Sequence, residues 1–242
     1  MATVTARVIR RPRAFVRVAG PDAGDFLQRM VSNDVLALAP ADACEALLLT
    51  PKSRVVAPLR VLRRSDRDFL VSTEPELGDT VRATLVRARF AAKCEIEPER
   101  HEAWQILGGA EVLDDRPDAE EVEEPEYERW RIEAGIPRWG HEIDDRVLPA
   151  EAGLTETHVS FSKGCYPGQE PIARQHHRGK LNRRLRVLDV DGTAEPGAEI
   201  VYAGKAVGRI TSAVSGIALG YVRVEVPDDA DLEVGSVRAR LH

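Results

Sequence analysis

One cysteine in this chain is placed for chemistry. Cys165 sits in the run Lys163-Gly164-Cys165-Tyr166-Pro167-Gly168-Gln169-Glu170, with glycines near it on both sides and a lysine two residues upstream. Glycine and proline let the backbone bend tightly and leave the sulfur uncovered. A helix is expected from about Gln169 to His176, which sets Cys165 just ahead of a helix N-terminus, where partial positive charge favours a thiolate. Cys165 is the leading candidate nucleophile or metal ligand, and Lys163 is its candidate partner.

The other cysteines, Cys44 and Cys94, are far from Cys165 and from each other. Three widely spaced thiols form neither a disulfide framework nor a paired zinc motif. Both fall in stretches that read as strands, where a free cysteine packs as a small apolar side chain. His176 and His177 are adjacent, without the surroundings a metal site needs.

Several common sites are missing. Gly179-Lys180 lacks the upstream glycine and following Ser/Thr of a phosphate loop, and Gly108-Gly109 lacks the third glycine of a dinucleotide fingerprint. Ser160, Ser162 and His158 lack a Gly-x-Ser-x-Gly turn and read as polar loop residues.

The elements that must position Cys165 follow from apolar spacing. Ala14 to Val18 alternates as a strand, and Asp22 can cap a helix with Phe26, Leu27, Met30 and Val31 on one face. Cys44 to Thr50, Val55 to Leu62 and Asp68 to Ser72 read as strands. Thr73-Glu74-Pro75-Glu76 has capping-box spacing ahead of a helix burying Leu77, Val81 and Leu85. Lys93 to Glu97 returns to strand, so Cys44 to Glu97 reads as an α+β unit. After Leu181, alternating runs punctuated by Gly192, Gly197, Gly204 and Gly216 read as a small all-β module.

With 242 residues, 43% of them hydrophobic, the chain can bury a substantial core. It has no apolar run of 18 residues and no charged start followed by an apolar core, which reads as a soluble, cytoplasmic protein without membrane association. The net charge of -6 argues against general nucleic-acid binding. Charge is uneven, however. Glu111 to Glu128 holds ten acids and one arginine and reads as an exposed connection without helix or central strand. Pro171 to Leu188 holds five Arg, one Lys, two His and no acid. That block is either a solvated face or a docking strip for an acidic ligand.

Taken together, Glu133-Ala134-Gly135-Ile136-Pro137, Leu148-Pro149, the Lys163 to Glu170 block, Ala173-Arg174 and Arg178-Gly179 resemble the YgfZ family, folate-binding relatives of the glycine-cleavage T-protein. Gly20-Pro21-Asp22-Ala23, Ser32-Asn33-Asp34-Val35 and Leu47-Leu48-Leu49-Thr50-Pro51-Lys52 agree, so the likeness runs through almost the whole chain. It implies an α+β, three-lobed aminomethyltransferase-like folate-binding fold. The expected division is a discontinuous folate-binding lobe of residues 1-43 and 98-180, a ferredoxin-like lobe of 44-97, and a C-terminal β-barrel of 181-242.

The resemblance assigns Glu133 to the pterin ring, because a carboxylate can accept parallel bonds from the ring N–H and exocyclic amine. It places an aromatic against the folate, by spacing Tyr127, with Trp130 as rival. The basic block would meet the folate's glutamate tail through Arg178, Lys180 and Arg183. T-proteins carry a catalytic aspartate after the Leu-Leu-Thr segment, where Val55-Val56-Ala57-Pro58 offers no carboxylate. That counts against aminomethyl transfer. Ser53 stands where the family pattern has glycine.

The implied function is a tetrahydrofolate-binding factor, not necessarily a turnover enzyme, that supports iron-sulfur cluster assembly or repair in client enzymes, including tRNA-modifying ones. Cys165 would attack a folate-borne or oxidised adduct, or would ligate a transient cluster shared with an assembly protein or client. One sulfur cannot hold a cluster alone, so the other ligands come from a partner, a small thiol or the two histidines. The alternatives are a folate-dependent one-carbon transferase and a non-catalytic folate-sensing scaffold.

Overall fold

A computed structural model describes residues 6–242, except the side chain of Arg178. The chain opens with β1 (Arg7–Arg11) and β2 (Ala14–Ala19), continues through α1 (Ala23–Met30) and then forms β3 (Ala43–Leu49), β4 (Val55–Ser65) and β5 (Asp68–Thr73). A 3-10 turn over Pro75–Leu77 leads into α2 (Gly78–Ala88) and β6 (Glu95–Glu99). Strands β2 to β6 form one antiparallel sheet in the order β3-β4-β5-β2-β6. Its core joins Val16, Val18, Leu48, Leu59 and Phe69 to Phe26 and Leu27 of α1 and Val81 and Leu85 of α2.

This sheet moves the expected boundary. Val16 and Val18 of β2 are buried, and β2 pairs with both β5 and β6, so residues 14 to 99 form one continuous unit. Among the described residues ahead of β2, β1 is paired into the neighbouring sheet. Two expected caps are also used differently. Asp22 accepts from the backbone N–H of Lys93 (2.8 Å), tying the start of α1 to the approach to β6. Thr73 is still in β5, and its hydroxyl donates across the sheet to the Pro58 carbonyl. Cys94 is buried and Cys44 half-buried. Burial raises both thiols, Cys44 to about 11, which fits inert packing.

A second sheet, ordered β8-β7-β1-β9, adds β7 (Ala103–Ile106), β8 (Glu111–Leu113) and β9 (Glu120–Glu121). It is followed by α3 (Glu124–Glu133), α4 (Thr155–His158) and α5 (Gln169–Arg178). The acidic stretch is therefore not a bare connection. Pro125 occupies the first turn of α3, where its missing N–H costs nothing, and Glu124 and Glu126 complement the positive end of the helix. Arginines neutralise these acids: Arg11 donates to Glu124 (2.8 Å) and Arg7 to Glu126 (2.6 Å).

The chain ends in a closed six-stranded barrel of order β10-β13-β12-β11-β14-β15. Its strands are β10 (Arg183–Val190), β11 (Glu199–Tyr202), β12 (Lys205–Val214), β13 (Ile217–Arg223), β14 (Leu232–Val234) and β15 (Val237–Leu241). Helix α3 packs on β12 and β13. No helix among the described residues is long and apolar enough to cross a membrane.

Candidate functional site

A cavity of about 470 Å³ lies where the two sheets meet the loops around α4. That volume is in the range of small-molecule sites. Tyr127 and Trp130 reach it from α3, one turn apart, with ring centroids 5.7 Å from each other. Trp139 adds a third aromatic side chain from the loop after α3, and Pro58 from β4 also lines it.

The cavity's charges come mainly from the sheets. Arg13 donates to Glu74 (2.7 Å) and through Nε to Glu111 (3.0 Å), forming an acid-arginine-acid bridge. Burial works against the Arg13 charge, but the two carboxylates outweigh it and hold the guanidinium ionised. The Glu111 side chain is 4% exposed, and Ser72 also donates to it (3.5 Å). At the rim Arg60 pairs with Glu45 (3.1 Å). Three carboxylates against two arginines leave an excess of acceptors over aromatic side chains, a setting for a flat, donor-rich heterocycle rather than a phosphate.

His158 also lines this cavity, with Nδ1 2.7 Å from the Thr157 hydroxyl. Burial pushes its imidazole down to about 4, so it is neutral in the folded protein at pH 6.5. Between pH 6.5 and 4 the unfolded chain takes up a proton that the folded chain refuses, so stability must fall as pH drops through that window. Because the ring is only partly buried, the expected loss is on the order of 1–3 kcal/mol. Urea titrations of the wild type and His158→Gln at pH 6.5 and pH 4 would measure it. The variant should lose less stability on acidification.

The structure distributes the expected site residues unevenly. Tyr127 and its rival Trp130 both line the cavity. Glu133 does not. It is the last residue of α3, its side chain is 49% exposed, and it accepts from Arg129 (3.2 Å), which itself reaches the barrel turn at the Ser215 carbonyl. At 100° per residue Glu133 lies about 120° around the helix from Tyr127. Arg183 donates to Glu151 (3.0 Å), and neither it nor Lys180 touches this cavity. The Arg178 side chain lies outside the described residues.

Lys163 also departs from expectation. It is buried, and its ammonium donates to the carbonyls of Gln28 (2.5 Å), Val31 (2.6 Å) and Asn33 (3.0 Å). Those bonds use all three of its protons. Rather than serving the thiol, Lys163 staples the C-terminal end of α1, where orphan carbonyls and the helix dipole both attract a cation. Burial lowers the ammonium to about 8.

Cys165 is exposed and lies between two anchored points. Upstream is the Lys163 staple. Downstream, Gly168 adopts φ +84°, and a Cβ there would stand 2.6 Å from the Thr50 carbonyl oxygen. The Ser53 hydroxyl donates to the Gly168 carbonyl (2.6 Å). Ser53 itself has φ +59°, which explains the glycine usual at that place, and its buried hydrogen bond offsets the strain. The loop is thus held firmly while Cys165 stays exposed, and Cys165 is not among the residues lining the aromatic cavity. Among the described residues no His, Cys, Asp and Glu group forms a metal-binding cluster.

Sequence reasoning missed the buried ion cluster that seats the site on the barrel. Arg131 donates to Glu142 (2.9 Å), Glu128 (2.8 Å), Ser212 (2.9 Å) and the Ile136 carbonyl (2.7 Å). Ser212 donates to Glu142 (2.6 Å), and the Tyr221 hydroxyl to the Glu142 carbonyl (2.8 Å). A half-charged helix such as Glu124–Glu133 gives no sign of which charge is buried.

The fold is found in a known protein class. The crystal structure of glycine cleavage system aminomethyltransferase T from Bartonella henselae superposes with a TM-score of 0.86 at 16% identity, covering 98% of this chain and 85% of that one. The fold is aminomethyltransferase-like. Residues 182–242 match the family described as the CAF17 C-terminal beta-barrel domain. Among curated proteins, the mitochondrial iron-sulfur cluster assembly factor IBA57 homolog of Mycosarcoma maydis is 28% identical, across 88% of this chain and 72% of that protein. An aminomethyltransferase of Desulforamulus reducens is 23% identical, across 88% and 77%. The chain's homologues thus include both assembly factors and transferases.

Proposed function

We propose that this chain is a folate-binding factor of the YgfZ type, which holds tetrahydrofolate in the aromatic cavity and uses Cys165 at its surface in assembling or repairing iron-sulfur clusters of client enzymes, tRNA-modifying ones among them. The observation that carries this reading is the separation of parts: an acceptor-rich aromatic cavity, and a rigidly held, exposed thiol outside it. A nucleophile acting on bound folate would have to face the cavity. A ligand offered to a partner must face solvent, as Cys165 does. Similarity to proteins named as iron-sulfur cluster assembly factors supports the same side.

The lining suits a reduced pterin. Tyr127, Trp130 and Trp139 offer apolar and aromatic contact, and Glu111 and Glu74 keep unused lone pairs beside Arg13 for ring N–H and amine groups. Bound folate would supply its one-carbon-carrying nitrogens. The protein's part is to orient the ring and shield it from water. With no carboxylate in the stretch Val55-Val56-Ala57-Pro58, where T-proteins carry theirs, aminomethyl transfer lacks its acid. The cluster itself is cargo, held jointly by Cys165 and groups from a partner or a small thiol.

Calorimetric titration with tetrahydrofolate tests the cavity assignment. Glu111→Gln should bind more weakly by about 1–3 kcal/mol, the cost of losing a charge-assisted acceptor. Glu133→Ala should bind as the wild type does. Unchanged binding by Glu111→Gln together with a loss in Glu133→Ala would move the pterin to the other acid and overturn the assignment.

A further inference from the structure

A larger cavity, of about 700 Å³, lies between α5, the loop before α4 and the start of the barrel. It shares no residue with the aromatic cavity. Two of its carboxylates are already paired, Glu151 with Arg183 (3.0 Å) and Glu225 with Arg223 (2.9 Å). Among the described residues, Lys180, Arg184 and Glu156 line it without an opposite charge within 4.0 Å, and Gln175 and Asn182 add neutral hydrogen-bonding groups. The open charges are therefore two positive and one negative, the complement of a molecule with two carboxylates and one ammonium group. A phosphate would leave Glu156 opposed, and a folate glutamate tail has no ammonium to meet it.

The cavity is tied to the cysteine loop. Ile172, Gln175 and His176 of α5 line it, and Phe161, four residues before Cys165, stacks on His176 with ring centroids 4.0 Å apart. Ile172 lies three residues into α5, about 5 Å from the helix start that follows Cys165. An extended three-residue peptide spans about 10 Å.

We propose that this second cavity binds a γ-glutamyl thiol tripeptide, its two carboxylates on Lys180 and Arg184 and its ammonium on Glu156. Such a ligand brings a second sulfur alongside the helix that Cys165 precedes. This use of its thiol rests on the reading of Cys165 as a cluster ligand; the binding itself does not.

The test is calorimetric titration of the full chain with reduced glutathione, S-methylglutathione, N-acetylated glutathione and tetrahydrofolate. Glutathione and its S-methyl form should bind alike in the millimolar range or tighter, since the charges anchor them. Arg184→Gln and Lys180→Gln should each weaken glutathione about tenfold. Glu156→Gln should weaken glutathione but leave the N-acetyl form unchanged. All three side chains are exposed or on loops, and an unchanged melting temperature certifies the fold. No saturable binding, equal binding by Arg184→Gln, or displacement of glutathione by tetrahydrofolate would overturn the proposal. Failure of tetrahydrofolate to bind anywhere, with glutathione binding intact, would instead count against the folate reading alone.

Discussion

Arg131→Ala is expected to lower the free energy of unfolding by about 3–5 kcal/mol, the cost of removing one member of a buried ion cluster. Arg131 is 1% exposed and the Glu142 side chain 0%. Burial opposes the Arg131 charge, but Glu128 and Glu142 more than compensate and keep it ionised. Truncation would leave Glu142 dry and facing only Ser212 and a backbone N–H. Because this cluster joins α3 to β12, the same change should loosen the wall that carries Tyr127 and Trp130. Guanidinium titration would measure the first effect and tetrahydrofolate affinity the second. The double substitution Arg131→Met with Glu142→Leu should cost clearly less than the sum of the two single ones, because no stranded charge remains. A loss within about 0.5 kcal/mol for Arg131→Ala would mean the pair contributes nothing.

Cys165→Ser should abolish rescue of iron-sulfur enzyme activity in a deletion strain while leaving tetrahydrofolate affinity and melting temperature unchanged. Cys165 is exposed, where substitutions change stability little, so the fold should not depend on its side chain. It lies outside the cavity lining, so the folate should not depend on it either. Serine is close to cysteine in size but cannot bind iron as a thiolate does. Full rescue by the variant would reduce the protein to a folate-sensing scaffold. Weakened folate binding would place the thiol against the ligand and revive the nucleophile.

Much of the fold was legible because its strands are short apolar or alternating runs. Val55 to Leu62 carries the period-two pattern of a sheet packed on helices, Asp68 to Ser72 is a short apolar run buried on both faces, and Leu77, Val81 and Leu85 carry the period of one helix face. The lobe boundary was less so, since period alone does not tell which sheet β2 joins. The acidic tract concealed β8, β9 and the start of α3, because its carboxylates are neutralised by Arg7 and Arg11, more than a hundred residues earlier. Lys163 looked like the partner of Cys165 because the two are near in sequence. Its actual acceptors are backbone carbonyls around the end of α1, which no side-chain pattern announces. The aromatic wall was visible from Tyr127 and Trp130, but the acids of the cavity come from β3, β8 and the turn after β5, and only the folded chain brings them together.

The most direct measurement is a crystal structure with tetrahydrofolate bound. The pterin is expected among Tyr127, Trp130 and Trp139, with its N–H groups on Glu111 or Glu74, and the Cys165 sulfur out of contact with the ligand and open to solvent. A pterin seated on Glu133, or a Cys165 sulfur within bonding reach of the folate N5, would contradict this expectation.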